Sequence, residues 1–299
     1  MSGEVQAGAV LGGLAENEQL DEQRPPRRVR AGRIGLGDWL LPAYAVIAFV
    51  FLLIPIVYTF VFSFNDSIKS NISWRGFTFD KWINVCNVEG GAVCQAFGNS
   101  IVIGLVATVV ATVLGTMIAI ALVRYRFRAR SAISLLLFLP MATPEVVLGA
   151  GLAAQFLAVG VPKDMTTIIL AHTMFCISFV VVTVKARVAS LDPALEEAGR
   201  DLYGSPVQVF WRVTFPLLLP GILAAALLAF ALSFDDFIIT NFNSGSVTTF
   251  PKYVYISASR GIPAEANVIA SAVFLFAIVL VLVSQISRAA RAKRLAKQG

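Results

Sequence analysis

Three carboxylates stand in sequence that is otherwise apolar. Glu145 lies in "TPEVV", about midway along an apolar run, and Asp235 and Asp236 lie side by side in "SFDDFIITNF". A carboxylate near the centre of a bilayer costs on the order of 2.5–3.5 kcal/mol by insertion scales, so it usually faces a cavity or a partner. No Lys or Arg lies within the apolar runs away from their ends, so the acids are expected to have no cationic partner inside this chain. An anionic, unpaired lining suits a cationic solute. Adjacent helical residues point about 100° apart. Asp235 and Asp236 therefore share one narrow site only if the helix breaks between them. Otherwise one of them caps or hydrogen-bonds a neighbouring helix, or pairs with a cation on a second subunit. Pro144, just before Glu145, opens the helix ladder at that point. Phe234 and Phe237 flank the aspartates, either as cation–π contacts or as plain packing. His172, the only histidine, cannot build a metal site alone; a helix–helix hydrogen bond is its expected job.

A second constellation is polar by design, "DPALEEAGRDLYGSPVQVFWRVTFPLLLP", from Asp192 to Pro220. Asp192-Pro193 reads as a helix start, an N-cap acceptor followed by Pro at the first helical position. The helix Ala194–Tyr203 is short and ends at Gly204, a common residue just past a helix. Ser205-Pro206-Val207-Gln208 opens a second helix with capping-box spacing. The stretch is therefore two short, deliberately ended helices with a sharp corner between them. An interfacial pair lying on lipid headgroups is one reading. Glu196, Glu197 and Asp201 argue against it, because acids gain nothing from an anionic inner leaflet. A rigid acidic knob fits a protein partner better.

The elements that must position these groups are membrane helices. Hydrophobic residues make up 57% of the 299 residues, charged residues 14%, and the mean hydropathy is +0.77. Soluble domains have about 45–50% apolar and about 25% charged residues. Helical spans need about 20 mainly apolar residues. Six runs qualify: Trp39–Phe64, Asn99–Val123, Ser131–Phe156, Thr166–Val188, Phe215–Asn241 and Ala266–Ser287. The runs are continuous rather than alternating, which excludes barrel strands. The chain is thus expected to be an all-α membrane protein of six transmembrane helices. Its parts are a flexible cytoplasmic tail (1–38), a six-helix domain (39–288) and a basic cytoplasmic C-terminus (289–299). The tail lacks the layout of a cleaved signal peptide. With the N-terminus inside, eighteen of the 24 Lys and Arg are cytoplasmic and six, including Lys69, Lys81 and Arg260, are external. That bias places both termini and the acidic knob in the cytoplasm. It also explains the net charge of +6 without nucleic acid. Cys86 and Cys94 fall in the first external loop, where an oxidising exterior permits a disulfide; two free thiols are the other reading. Cys176 is expected to be an apolar packer. Gly104, Gly115, Gly149 and Gly151 are expected to allow close helix packing.

These residues carry a family resemblance. "EEAGRDLYGSPVQVFWRVTFPLLLPGI" resembles the EAA loop of ABC-importer permeases. The match runs through Glu197-Ala198-Gly199, with Gly199 in place of the usual second Ala and Tyr203 in place of the usual Gly. "FGNSIVIGLVATVVATVLGTMIAIALVRYRF" is similar to the start of the permease core. "PMATPEVVLGAG", "SFDDFIITNF" and "KYVYISASRGIPAEANVIAS" resemble the second permease subunit of spermidine/putrescine importers. The resemblance covers about residues 39–288. It implies a type I importer permease fold in the plasma membrane, with a cytoplasmic coupling helix seated in a cleft of an ATPase. The coupling residues it implies are Glu196, Glu197, Ala198, Gly199, Asp201, Tyr203 and Gly204. It further implies a second permease subunit, two ATP-binding subunits, an external substrate-binding protein and no cofactor. The substrate-path candidates are then Asp235, Asp236 and Glu145, and the cationic solute is a polyamine; a sugar, iron or an amino-acid derivative are the alternatives within the superfamily.

Enzyme readings find little support. There is no Walker A loop, no H-E-x-x-H, no G-x-S-x-G and no Cys/His cluster. An intramembrane aspartyl hydrolase using Asp235 or Asp236 leaves the EAA-like loop unexplained. A scaffold protein leaves the unpaired acids unexplained.

Overall fold

The computed structural model describes residues 36–67, 73–259 and 261–295, and the backbone alone at 36–38, 88–89 and 288–295. Residues 1–35 of the tail, Lys69, Arg260 and residues 296–299 lie outside them. The chain divides into two units after Pro55. The first is described from residue 36, as part of helix α1 (Leu36–Phe62), whose Trp39, Leu41 and Phe51 are exposed and free to face lipid.

The regular structure of the second unit's described residues is all helix, apart from one isolated bridge between Asn65 and Phe77. After α1 come α2 (Asp80–Ile83), α3 (Ala92–Arg124), α4 (Arg130–Ala142), α5 (Glu145–Ala158) and α6 (Met165–Ala189). Then follow α7 (Ala194–Asp201), α8 (Pro206–Val209), α9 (Phe215–Asp235), α10 (Ile238–Asn243), α11 (Phe250–Ala258) and α12 (Ala264–Leu295). Among the described residues five helices are long and apolar enough to cross a membrane, and α4 with α5, bent by 109° at the break between them, bring the number to six if the pair is one span. The helix of the second crossing starts earlier than expected, at Ala92. The last helix runs on to Leu295 without a break at 288.

Helices α3, α6 and α9 form the core. Ala111, Ala119, Val180, Val184, Leu218 and Ala225 meet there, all buried. Lipid tails are as apolar as Leu, so close packing rather than water exclusion holds such helices together. Gly115 shows how: a Cβ there lies 2.6 Å from Val180 Cγ1, so only glycine lets α3 approach α6 this closely. Gly104 and Gly149 also sit against neighbouring side chains, whereas Gly151, expected to do the same, faces open space. Cys176 is buried in this core.

Two of the expected straight spans are broken, each for a local reason. In the third, Thr143 is extended (φ −82°, ψ 133°), because the residue before a proline is pushed out of the helical region. The fifth is longer at its inner end and interrupted at its outer end. α8 does not stop, as the sequence suggested. It runs through a wide π turn, Phe210–Thr214, directly into α9. Pro216 lacks the donor for a normal turn and its ring crowds the carbonyl four residues back, which is where such wide turns arise. Arg187 secures the next turn, donating from Nε and Nη2 to the Leu217 carbonyl at 3.0 and 2.8 Å. At the other end Asp236 is extended (φ −68°, ψ 121°) and α9 stops.

The external side is clamped. Cys86 and Cys94 form a disulfide with Cα atoms 5.4 Å apart, joining the loop after α2 to the first turn of α3. Lys81 of α2 and Glu265 of α12 are both buried, with Nζ 3.1 Å from Oε1, a charge-to-charge contact. Asn65 spans its loop, donating to the Ser73 carbonyl and accepting from Arg75 N. Lys252 donates to Ser244 Oγ at 2.6 Å and the Val247 carbonyl at 3.2 Å. Partial burial pushes its pKa below the usual lysine range.

Candidate functional site

The broken spans meet at a cavity of about 460 Å³ lined by Glu145, Phe175, Leu232, Asp235, Asp236 and Phe237. All three carboxylates singled out by the sequence border it, but their situations differ. Glu145 is not midway along a straight span. It occupies the first turn of α5, where a helix N-terminus favours negative charge. Asp235 is the last residue of α9. Both are exposed to the cavity, and neither has an ion-pair or hydrogen-bond partner among the described residues.

Asp236 is engaged. Its carboxylate accepts from the backbone N–H of Ile239 at 3.3 Å and of Thr240 at 2.8 Å, capping α10. His172 Nε2 lies 3.1 Å from the same carboxylate and 3.0 Å from Thr240 Oγ1, and His172 Nδ1 lies 2.7 Å from Ser233 Oγ. His172 is 1% exposed. The expectation that the acids lack a partner within the chain fails for Asp236. The break between Asp235 and Asp236 is what lets both reach one cavity. Of the two flanking phenylalanines, Phe237 lines the cavity and stacks on Tyr255 at 4.2 Å. Phe234 packs edge-on against Phe97 instead. Broken helices whose ends converge on a polar cavity are the usual form of a transporter's substrate site.

At the inner end, α7 and α8 make the corner. Asp192 Oδ1 accepts from Ala194 N at 2.9 Å, and Ser205 and Gln208 form a reciprocal capping box. α7 ends at Asp201, two residues earlier than expected, in a Schellman arrangement: Gly204 N donates to the Gly199 carbonyl and Tyr203 N to the Arg200 carbonyl. The left-handed residue is Tyr203 (φ 59°), not Gly204. Gly204 is needed for a different reason: a Cβ there would lie 2.7 Å from the Gly199 carbonyl oxygen. Tyr203 is 98% exposed, and Leu195, Leu202, Val207 and Trp211 are exposed around it. Glu197, Ala198 and Asp201 are exposed on the same knob. Glu196 turns inward to Arg124 and Thr214.

Residues 111–297 match the family described as "Binding-protein-dependent transport system inner membrane component". The chain belongs to this family. The spermidine/putrescine transport permease PotC of Haemophilus influenzae is 33% identical over 249 residues, 83% of this chain and 96% of that protein. The putrescine transport permease PotI of Escherichia coli is 36% identical over 234 residues, 76% of this chain and 82% of that protein. A solved bacterial ABC transporter that imports the acidic polysaccharide alginate shares the fold, with a TM-score of 0.60 at 16% identity over 88% of this chain and 99% of that one. The inward-facing methionine ABC transporter MetNI gives 0.54 at 19% identity over 66% and 95%. The protein is thus an inner-membrane permease subunit of an ABC importer.

The structure adds site residues that sequence reasoning missed. Phe175 and Leu232 wall the cavity, Ser233 and Thr240 hold His172, and Arg124 and Thr214 hold Glu196. Arg124 carried a signal, an arginine closing a span, but it reads equally as an orientation charge.

Proposed function

We infer that this permease passes a linear polyamine such as putrescine or spermidine. The observation that carries this reading is the cavity with two unpartnered carboxylates, Glu145 and Asp235, beside Phe175 and Phe237. Two acids lining one cavity suit a solute that carries more than one ammonium group, and aromatic faces add cation–π attraction. The relatives named for spermidine and putrescine transport support the same choice. An anionic solute such as alginate meets the wrong sign of charge here.

A second permease completes the pore and an external binding protein delivers the solute. Two ATPase subunits dock on the corner of α7 and α8 of this chain and its counterpart, contacting Glu197, Tyr203 and the exposed apolar ring around them. Nucleotide-driven closure of the ATPases displaces the corner and switches the cavity between outward and inward access, as coupling between two sites through a two-state element requires. The test is import of radiolabelled putrescine into proteoliposomes holding the complete transporter. Glu145→Gln is expected to lower import about tenfold; unchanged import by Glu145→Gln and by Asp235→Asn refutes the substrate path. Glu197→Lys is expected to abolish co-purification of the ATPases.

A further inference from the structure

Glu196 sits on the docking helix but does not point at the docking surface. Its Oε1 accepts from Arg124 Nη2 at 2.9 Å and from Thr214 Oγ1 at 3.1 Å. Arg124 is the last residue of α3, and Thr214 closes the wide turn that opens α9. One oxygen thus joins three elements. The Arg124 and Glu196 side chains are only 20% and 21% exposed, and Thr214 is buried. A partly buried pair is screened much less by salt than a surface pair, and a hydrogen bond between two charged groups is the stronger kind.

The rest of α7 is weakly held. None of its residues is buried. Beneath it lies a cavity of about 320 Å³ lined by Ile120, Val188, Glu196, Arg200 and Leu218 among others. Gly199 lies against Val209 and Val213 of the following turns, so the contact of Glu196 with Arg124 is what ties α7 to α3 on the far side of this cavity.

We propose that Glu196 is a positioning residue that transmits force inside this chain: it struts α7 across the void to α3 and α9, so that displacing the coupling helix displaces those spans. The proposal rests on the ATPase-docking role of α7. It divides the two adjacent glutamates, Glu197 facing the partner and Glu196 facing the membrane domain.

The experiment measures ATP hydrolysed per radiolabelled putrescine imported, in proteoliposomes of the complete transporter at equal amounts of assembled complex. Glu196→Ala is expected to raise that ratio about tenfold, the order of one lost charge-assisted hydrogen bond, with the ATPases still co-purifying. Arg124→Ala is expected to match it, and the double substitution to be no worse than either, as for two ends of one contact. Glu196→Gln, which keeps an acceptor, falls between. If Glu196→Ala does not assemble, Glu196→Gln and Thr214→Val carry the test, each raising the ratio about threefold. A parental ratio in the assembled variants, or single effects that multiply in the double, overturns the strut. Failure of the docking reading looks different: Glu197→Lys then retains both the ATPases and import.

Discussion

Asp235 and Asp236 are neighbours in sequence, and removing each is expected to fail in a different way. The Asp236 carboxylate caps α10 through Ile239 N at 3.3 Å and Thr240 N at 2.8 Å, and it faces His172 at 3.1 Å. Losing a helix cap costs about 1 kcal/mol. Leaving a buried donor unpaired costs about 1–3 kcal/mol, with membrane interiors at the low end because unfolded helices in lipid also find partners. Asp236→Ala is therefore expected to destabilise the protein by about 2–3 kcal/mol. Asp235 has no such partners, so Asp235→Ala is expected to stay within about 0.5 kcal/mol of the parent. Import should instead fall about tenfold, equivalent to about 1.4 kcal/mol of lost attraction for a cation. The assay pairs thermal unfolding of the purified permease complex in detergent, followed by tryptophan fluorescence, with putrescine import at equal protein. Equal destabilisation by the two variants, or parental import by Asp235→Ala, refutes the assignment of one acid to structure and the other to solute.

Three further outcomes follow from the geometry. Tyr203→Gly relieves a left-handed tyrosine, which costs about 1–2 kcal/mol, less the entropy glycine gains when unfolded; hydrogen exchange at Gly204 N should slow by about fivefold if the net gain is about 1 kcal/mol, and unchanged exchange removes the strain argument. Glu265→Ala leaves Lys81 buried without its counter-charge and should cost about 3–5 kcal/mol, whereas pairing it with Lys81→Met should recover most of the loss; thermal unfolding of both variants checks this. Reducing the Cys86–Cys94 disulfide, which closes a loop of sequence separation 8, should cost about 2.5 kcal/mol by loop entropy. Dithiothreitol should lower the unfolding temperature of the parent and leave a Cys86→Ser/Cys94→Ser variant unmoved.

Much of the fold was legible because lipid imposes a simple rule on sequence. Apolar runs of sufficient length must be helices, and the runs in this chain were long and clean enough to mark six candidate spans, five of which are single long helices. The caps at Asp192 and Ser205 were legible for the same kind of reason: a local hydrogen bond needs only a few consecutive residues. Pro144 marked a weak point but not its consequence. A proline states that a ladder hydrogen bond is missing, whereas the 109° turn depends on what α4 and α5 pack against. Gly204 was legible as a residue just past a helix; that Tyr203 would take the left-handed conformation while Gly204 makes the close approach to Gly199 was not.

The sequence by itself determined the class of molecule, the membrane helices, the capped acidic corner, and the fact that three acids lie among apolar residues. Those are properties of composition and of neighbours along the chain. Only the tertiary structure decided which acid finds a partner. Asp236 finds His172 across 64 residues, and Glu196 finds Arg124 across 72. Hydrogen bonds reach about 3 Å in space, so partners that far apart in sequence leave no local pattern. Their meeting is fixed by how α3, α6 and α9 pack, and what that packing leaves unpartnered among the described residues, Glu145 and Asp235, is the surface proposed to meet a cationic solute.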